Sequence, residues 1–359
     1  MDSFKKWWAK LGLSRISAVT KKNFMRILLC SYVFAPSVGG IETVSGILAD
    51  QFTRLSSSVT VVTRTPGPPL EAAYKVVRRP SLRKLRELAG NSDVIFQNNI
   101  SLKTLLPLLF LGKPVVITHQ TWLTRTTGQR GWRDYVKRAL LSRCSNVAIS
   151  QAVAAHLPVK SIVIGNPFEP GEFAAAEEHV RTKDIVYLGR LVSDKGCDLV
   201  LRALSILKTS RICPSFTMIG DGPEMPALKQ LTVELGLSDR VMFLGAIREG
   251  RGKVVAQHKI MVIPSTWEEP FGVVALEGIA AGCTVVASRT GGLPEAIGPC
   301  GILFPSGDVM ALASALKELL AGPSLRDKLA AERFHHLKRF QPEAVAKRYL
   351  EVFESAMRK

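Results

Sequence analysis

The chain has few of the features that mark several large protein classes. No apolar run reaches the ~20 residues that a bilayer-spanning helix needs. The longest, Leu105 to Leu111, contains Pro107 and predicts a buried helix instead. Cysteine is sparse: Cys30, Cys144, Cys197, Cys213, Cys283 and Cys300 form no C-x-x-C pair and lie near no histidine at metal-ligand spacing. Buried or unpaired thiols in a reducing compartment are expected. G-x-G-x-x-G is absent, so a dinucleotide fingerprint is not supported. Acidic residues are in short supply, 30 against 48 Lys and Arg.

What is present is globular. The 359 residues are 47% hydrophobic and 22% charged, which argues against disorder or a fibrous repeat. That length fits two domains, or one large one. The net charge of +18 is uneven: residues 1–180 hold 24 basic and 11 acidic side chains, residues 181–359 hold 24 and 19. An excess of this size points to an anionic partner: nucleic acid, an acidic membrane surface or a phosphorylated substrate. Charge alone does not choose among them.

Residues 1–24 read as an appendage. Phe4, Trp7, Trp8 and Leu11 recur at helical spacing, with Lys5, Lys6 and Lys10 on other faces. That is a basic amphipathic helix suited to a membrane surface. A loosely docked basic tail fits the same residues, and so does a transit peptide. A secretory signal would need a continuous apolar stretch.

From Met25 onward, short runs rich in Val and Ile alternate with helical patterns. Strands are expected at 26–32, 59–63, 93–97, 114–119, 146–150 and 161–165, then at 184–189, 215–220, 240–245, 259–264, 283–288 and 301–304. Each run is nearly continuous in apolar character, as in strands of a parallel sheet buried on both faces. Helices are expected between most of them, including 41–55, 199–208, 225–236 and 311–320. The expected fold class is α/β, two doubly wound Rossmann-like domains facing a cleft. The Pro-, Gly- and Ala-containing stretch Asn166–Lys183 has linker composition, giving domains at 25–170 and 171–340. Two helical patterns close the chain, 325–339 and 342–357. The final segment, 341–359, is free in principle to pack back across the first domain.

In open α/β sheets ligands bind beyond the carboxyl ends of the strands. After the first strand, Gly39 and Gly40 precede a helix; this is either a turn or an anion site. His119 ends another strand, where it would bond a substrate hydroxyl or phosphate, or merely its own backbone. Arg190 and Lys195, five residues apart after a buried strand, suit a diphosphate. Gly220 and Gly222 make a tight turn where backbone can meet a ligand. Glu269 and Glu277 flank an apolar helix start at roughly 8–12 Å, too far apart to share one metal ion. That spacing also exceeds the ~5–5.5 Å of a retaining glycosidase pair. The two acids would therefore touch different parts of one extended ligand, with the free amides near Phe271, Gly272, Val273 and Val274 between them. Glu277 taken alone also reads as a solvated helix residue.

The segment E-P-F-G-V-V-A-L-E-G-I-A-A-G-C-T-V-V-A-S-R-T-G-G-L-P-E, from Glu269 to Glu295, resembles the E-x7-E signature of the retaining GT-B glycosyltransferases, group 1 or family 4. G-R-L-V-S-D-K-G, G-D-G-P-E and the early P-S-V-G-G-I-E-T resemble the same family, in the right order. The resemblance implies retaining transfer of a sugar from a nucleotide-diphosphate sugar to a glycan or lipid-linked glycan, in cell-surface glycan or glycolipid synthesis. It places the donor mainly on the second domain and the acceptor on the first. It implies Glu269 beside the donor sugar, Glu277 on the ribose, Arg190 and Lys195 on the diphosphate, Gly39 and Gly40 near the phosphates, and His119 near the sugar. No D-x-D occurs, so no metal cofactor is expected. The protein is expected to be cytoplasmic, with an anionic membrane surface as a partner. Two departures from the family pattern stand out: Gly165-Asn166-Pro167 where Pro-Asn-Gly is common, and Glu277-Gly278-Ile279 where Glu-Ala-Met is.

Three other readings compete. A nucleotide-sugar epimerase of the same architecture would lack the E-x7-E arrangement. A nucleic-acid-binding protein would alternate its basic residues with exposed aromatics, whereas the clusters Arg78–Arg86 and Arg125–Arg143 hold few; no nucleic-acid partner is expected. A catalytically dead scaffold would show no donor hydrolysis or transfer.

Overall fold

The structure, a computed structural model, describes residues 24–37, 39–123, 131–173 and 181–358. The expectations placed on residues 1–23, on Arg125 and Arg130, and on the acidic pair Glu177 and Glu178 lie outside the described residues. The chain divides into two compact units. Among the described residues, one is Phe168–Arg339; the other joins Phe24–Pro167 to the chain from Phe340 onward.

The N-terminal unit runs β1 (Arg26–Cys30), α1 (Gly40–Arg54), β2 (Ser58–Thr63), β3 (Lys75–Arg78), α2 (Leu82–Gly90), β4 (Val94–Asn98), α3 (Leu102–Leu105), β5 (Val115–His119), α4 (Trp132–Leu141), β6 (Ser145–Ala148), α5 (Gln151–Ala155) and β7 (Ile162–Val163). Its parallel sheet has the order β3-β2-β1-β4-β5-β6-β7, with Leu28 level with Thr60 on one side and Ile95 on the other. Side chains alternate along each strand, so each strand feeds two cores. One face buries Ile27, Leu29, Phe96 and Val116 under α1. The other buries Leu28, Ile95, Val115 and Ile117 under α2, Leu105, Leu108 and Leu141.

The C-terminal unit runs α6 (Pro170–Phe173), β8 (Lys183–Leu188), α7 (Cys197–Thr209), β9 (Phe216–Ile219), α8 (Met225–Glu234), β10 (Val241–Gly245), α9 (Arg251–Val255), β11 (His258–Ile263), α10 (Val273–Ala280), β12 (Thr284–Ser288), α11 (Leu293–Ile297), β13 (Gly301–Phe304), α12 (Val309–Ala321), α13 (Pro323–Ala331) and α14 (Arg333–Lys338). Its parallel sheet has the order β10-β9-β8-β11-β12-β13. Ile185, Phe216, Met218 and Val262 pack there against α7 and α12.

The last helix, α15 (Pro342–Met357), completes the N-terminal core. Val345, Tyr349 and Phe353 are buried beside Phe52 and Phe96. Ring centroids lie 5.4 Å apart for Phe52–Phe353 and 5.2 Å for Phe96–Tyr349. The Thr118 hydroxyl donates to the Tyr349 hydroxyl at 3.1 Å. The two aromatic pairs add edge and tilted ring contacts to the area they bury.

Some local expectations need correction. β3 was not expected; its two valines sit between Lys75 and Arg78 on a sheet edge, too short to show a period. The stretch Leu105–Leu111 is helical only to Leu105. Pro107 offers no N–H to continue the ladder, and single turns follow, leaving Leu106 and Phe110 exposed. The pattern 325–339 is two helices, α13 and α14, separated by a turn at Glu332. The unit boundary falls before Phe168 rather than at 170, because α6 packs on α9: a Cβ on Gly252 would lie 2.0 Å from the Glu172 carbonyl oxygen.

All six cysteines are free thiols, and burial raises those of Cys30 and Cys283 to about 12. Among the described residues no helix is long and apolar enough to cross a membrane.

Candidate active site

In the C-terminal unit the loops after β8, β11 and β12 are bound to one another. Beyond β8 a single 3-10 turn, Ser193–Lys195, ends at Gly196 with φ 65°. A Cβ there would sit 2.2 Å from the Pro264 carbonyl oxygen, so the β8 and β11 loops can approach this closely only around glycine. The Asp194 carbonyl accepts the amides of Thr266 at 3.0 Å and Trp267 at 3.2 Å. The Glu269 carbonyl accepts the amide of Gly292 at 2.7 Å, which ties in the loop after β12.

This framework fixes three side chains together. Lys195 Nζ donates to Glu269 Oε1, and Ser265 Oγ donates to the same oxygen at 2.8 Å. The Lys195 ammonium also stands 5.6 Å from the Trp267 ring centroid. Arg190, assigned with Lys195 to a diphosphate, is exposed, and among the described residues no carboxylate pairs with it. Helix α10 opens at Gly272, φ 96°, and its first amides have no intrahelical acceptor. Phe271 is buried, and Val273 and Val274 are half-buried on that first turn.

Glu277, one turn further along α10, is half-buried, not the solvated helix residue that its position alone would allow. Burial lifts its carboxyl from 4.5 to about 7; Arg251 pulls it down, and Glu172 and Glu169 push it up. Arg251 is itself committed to Glu172, with Nε to Oε1 at 3.1 Å and Nη2 to Oε2 at 2.6 Å. So Glu277 feels a cation whose charge is largely spent elsewhere.

Gly220 and Gly222 have a different reason from the one expected. A Cβ on Gly220 would fall 1.7 Å from the Gly189 carbonyl oxygen, and one on Gly222 2.2 Å from that of Leu191. The space these glycines leave is filled by the protein's own backbone. Gly40 is the opposite case: nothing lies within 4 Å of its ideal Cβ, while Gly39 faces only the flexible Glu42 carboxylate. Gly39 is the N-cap of α1 and offers no side-chain cap.

His119 is fully buried at the end of β5. Its Nε2 bonds with Asn146 Oδ1 at 3.0 Å, while Nδ1 has no partner among the described residues. Burial holds its pKa below the usual imidazole value, so the ring is neutral at pH 7.

Sequence reasoning missed several participants. Ser265 and Arg251 carried no motif of their own; Ser265 stands four residues before Glu269, a helical spacing that offered a weak signal. A buried polar chain in the N-terminal unit was also unforeseen. Ser45 Oγ donates to the Ile41 carbonyl at 2.7 Å, Asn98 Nδ2 to Ser45 Oγ at 2.6 Å, Gln120 Nε2 to Asn98 Oδ1 at 2.9 Å, and Asn166 Nδ2 to Gln120 Oε1 at 2.8 Å. It locks the first turn of α1, just after Gly40, to the ends of β4 and β5.

Comparison with known proteins now gives this arrangement a context. Residues 182–322 match the family described as glycosyl transferases group 1. That match lies within the C-terminal unit. It is 34% identical over 178 residues to the lipopolysaccharide core biosynthesis glycosyltransferase LpsD of Rhizobium meliloti, a match covering 49% of this chain and 50% of that protein. The match thus spans about half the length of LpsD. It is 26% identical to the GDP-mannose-dependent α-(1-6)-phosphatidylinositol monomannoside mannosyltransferase of Mycolicibacterium smegmatis, over 83% of this chain and 90% of that one. Among solved structures it is similar to Anabaena HepE in complex with UDP and glucose, with a TM-score of 0.72, 21% identity and coverage of 92% and 100%. The two doubly wound sheets are the GT-B fold of such glycosyltransferases.

Proposed function

We propose that this glycosyltransferase moves a sugar from a nucleotide-diphosphate sugar to a glycan or lipid-linked glycan with retention of configuration, using protein cations and not a metal ion at the diphosphate. The observation that carries the reading is the joining of Lys195, Glu269 and Ser265 at the head of α10, with Glu277 further along the same helix. One end suits a sugar and its phosphate, the other a ribose. The relatives support the substrate class: HepE is described with UDP and glucose, the mycobacterial enzyme as GDP-mannose-dependent, and LpsD by lipopolysaccharide core synthesis. A role in cell-surface glycan or glycolipid assembly on the cytoplasmic side follows from such acceptors.

The bond from the anomeric carbon to phosphate breaks, and its electron pair leaves with the diphosphate. The acceptor oxygen bonds the same carbon on the same face and gives its proton to the departing phosphate. Arg190, Lys195 and the α10 amides stabilise the negative charge, and Glu269 stabilises the positive sugar. For His119 this reading offers Nδ1, which has no hydrogen-bond partner among the described residues, to a sugar hydroxyl.

A thermal-shift panel of nucleotide diphosphates and nucleotide sugars tests the reading. A ligand at ~100 times its dissociation constant should stabilise the C-terminal unit by ~2.7 kcal/mol. The anomeric configuration of the product, read by NMR, tests retention. No shift with any nucleotide and no donor hydrolysis would remove the proposal.

A further inference from the structure

The two cations assigned to the donor diphosphate sit on one short loop, and a single buried hydroxyl meets both ends of it. The loop runs from Arg190, just past β8, to Gly196, just before α7. Tyr187, on β8, is 3% exposed and belongs to the core cluster that holds Leu191 and Cys197. Its hydroxyl donates to the Arg190 carbonyl at 2.8 Å. The buried Cys197 thiol, at the first position of α7, is a hydrogen-bond neighbour of the same hydroxyl.

The backbone on either side of Arg190 is pinned by other backbone. The Gly189 amide donates to the Ile219 carbonyl at 3.0 Å, the Leu191 amide to that of Asp221 at 2.9 Å, and the Glu224 amide to that of Leu191 at 3.1 Å. The Lys195 end is held through the Asp194 carbonyl, which accepts the Thr266 and Trp267 amides. Arg190 stands between these anchors with an exposed side chain, and its carbonyl is fixed by a side chain from the core. Gly189 makes room for that contact. A Cβ there would lie 2.8 Å from the Tyr187 hydroxyl and 3.2 Å from the ring carbon that bears it. A phenylalanine would fill the same core space, so the buried oxygen serves something that packing does not need.

We infer that Tyr187 is a positioning residue for the nucleotide diphosphate: its hydroxyl braces the loop from Arg190 to Cys197 and fixes the point from which the Arg190 guanidinium reaches the phosphates. Tyr187 itself touches no ligand and acts through Arg190. A guanidinium on a long stem loses less freedom on binding when the base of that stem is already held. The inference rests on the proposed reading of Arg190 as a diphosphate ligand.

The test is a double-mutant cycle on the full chain, read by calorimetric titration of UDP and GDP. Arg190→Ala should weaken the tighter of the two by ~tenfold or more, as loss of a charge-assisted hydrogen bond does. Tyr187→Phe, which keeps the ring and removes one oxygen, should weaken it by roughly three- to tenfold in the wild-type background. In the Arg190→Ala background the same change should have no further effect, because the group it positions is gone. A tyrosine that only supports the fold would weaken binding equally in both backgrounds. If Tyr187→Phe does not fold, Gly189→Ala takes its place in the cycle; its Cβ displaces the hydroxyl and should give the same loss, again only while Arg190 is present. The inference is overturned if the loss is the same in both backgrounds, or if Tyr187→Phe binds as the wild type does. In those outcomes Arg190→Ala still weakens binding, and the diphosphate reading stands. If Arg190→Ala has no effect, or neither nucleotide binds, that reading falls and the inference falls with it.

Discussion

Lys195 and Glu269 form one ion pair: the cation assigned to the donor's diphosphate neutralises the carboxylate assigned to its sugar. The two side chains are only 17% and 13% exposed, so little water screens them. A diphosphate arriving at Lys195 competes with Glu269 for the ammonium. Ser265, bonded to the same Glu269 oxygen, would hold the carboxylate in position through that exchange. Binding the donor would therefore expose negative charge where the sugar becomes positive.

Glu269→Gln separates these two roles. It leaves Lys195 without its carboxylate, so nucleoside diphosphate affinity should hold or rise. Turnover should fall by roughly 10²-fold or more, since the stabilising charge is gone. Steady-state kinetics with calorimetric titration of the diphosphate measures both. A change in affinity alone, with turnover intact, would reverse the assignment.

Glu277 should make donor binding depend on pH near neutrality. Its carboxyl is raised from 4.5 to about 7. The folded state therefore holds this proton more tightly than the unfolded chain. The resulting stability is fully present below pH 4.5 and is lost as pH rises through about 7. A ribose hydroxyl donating to the carboxylate needs it ionised, so nucleotide affinity should increase with pH across the same window, by at most about tenfold per unit. Glu277→Gln should weaken binding and flatten this profile, as titration calorimetry at several pH values would show.

Two glycine variants distinguish folding from ligand contact. Gly220→Ala puts a Cβ 1.7 Å from a carbonyl oxygen and should cost about 3 kcal/mol or more, lowering the melting temperature by several degrees. Gly40→Ala meets no protein atom within 4 Å and removes a glycine from a helix start. It should leave the melting temperature unchanged or slightly higher, while donor affinity falls if a phosphate approaches there. Differential scanning fluorimetry with and without nucleotide reads both effects.

Under the proposed reading Arg190 and Lys195 would supply the positive charge at the diphosphate, so activity should survive exhaustive chelation. A transfer assay in excess chelator, with and without added magnesium or manganese, checks this. Activity restored only by the metal would refute metal independence.

Much of the fold was legible because it depends on local pattern. The run Arg26-Ile-Leu-Leu-Cys30 is apolar on both faces, and a central parallel strand is what such a run becomes. β3 was not legible, since Val76 and Val77 between basic residues show no periodicity; the neighbouring strand β2 makes them a strand. In the C-terminal unit, the candidates Arg190, Lys195 and the two glutamates were picked out by spacing from a strand end. Their partners could not. Lys195 and Glu269 are 74 residues apart, and nothing local announces their pairing. Nor does the sequence tell which glycines face open space and which face backbone, as Gly40 and Gly220 show; that depends on a second loop brought in by the sheet.

The return of α15 to the N-terminal core has a consequence for synthesis. The ribosome makes Phe52 and Phe96 early, but Tyr349 and Phe353, which cover them, only after the whole C-terminal unit. At ~5–20 residues per second, the first core waits roughly 13–50 s for its last helix. During that time an aromatic surface on the nascent chain stays open to chaperones or to other chains. The half of the protein begun first is thus the half finished last, and substitutions at Tyr349 or Phe353 should reduce soluble yield more than the stability of the purified protein would indicate.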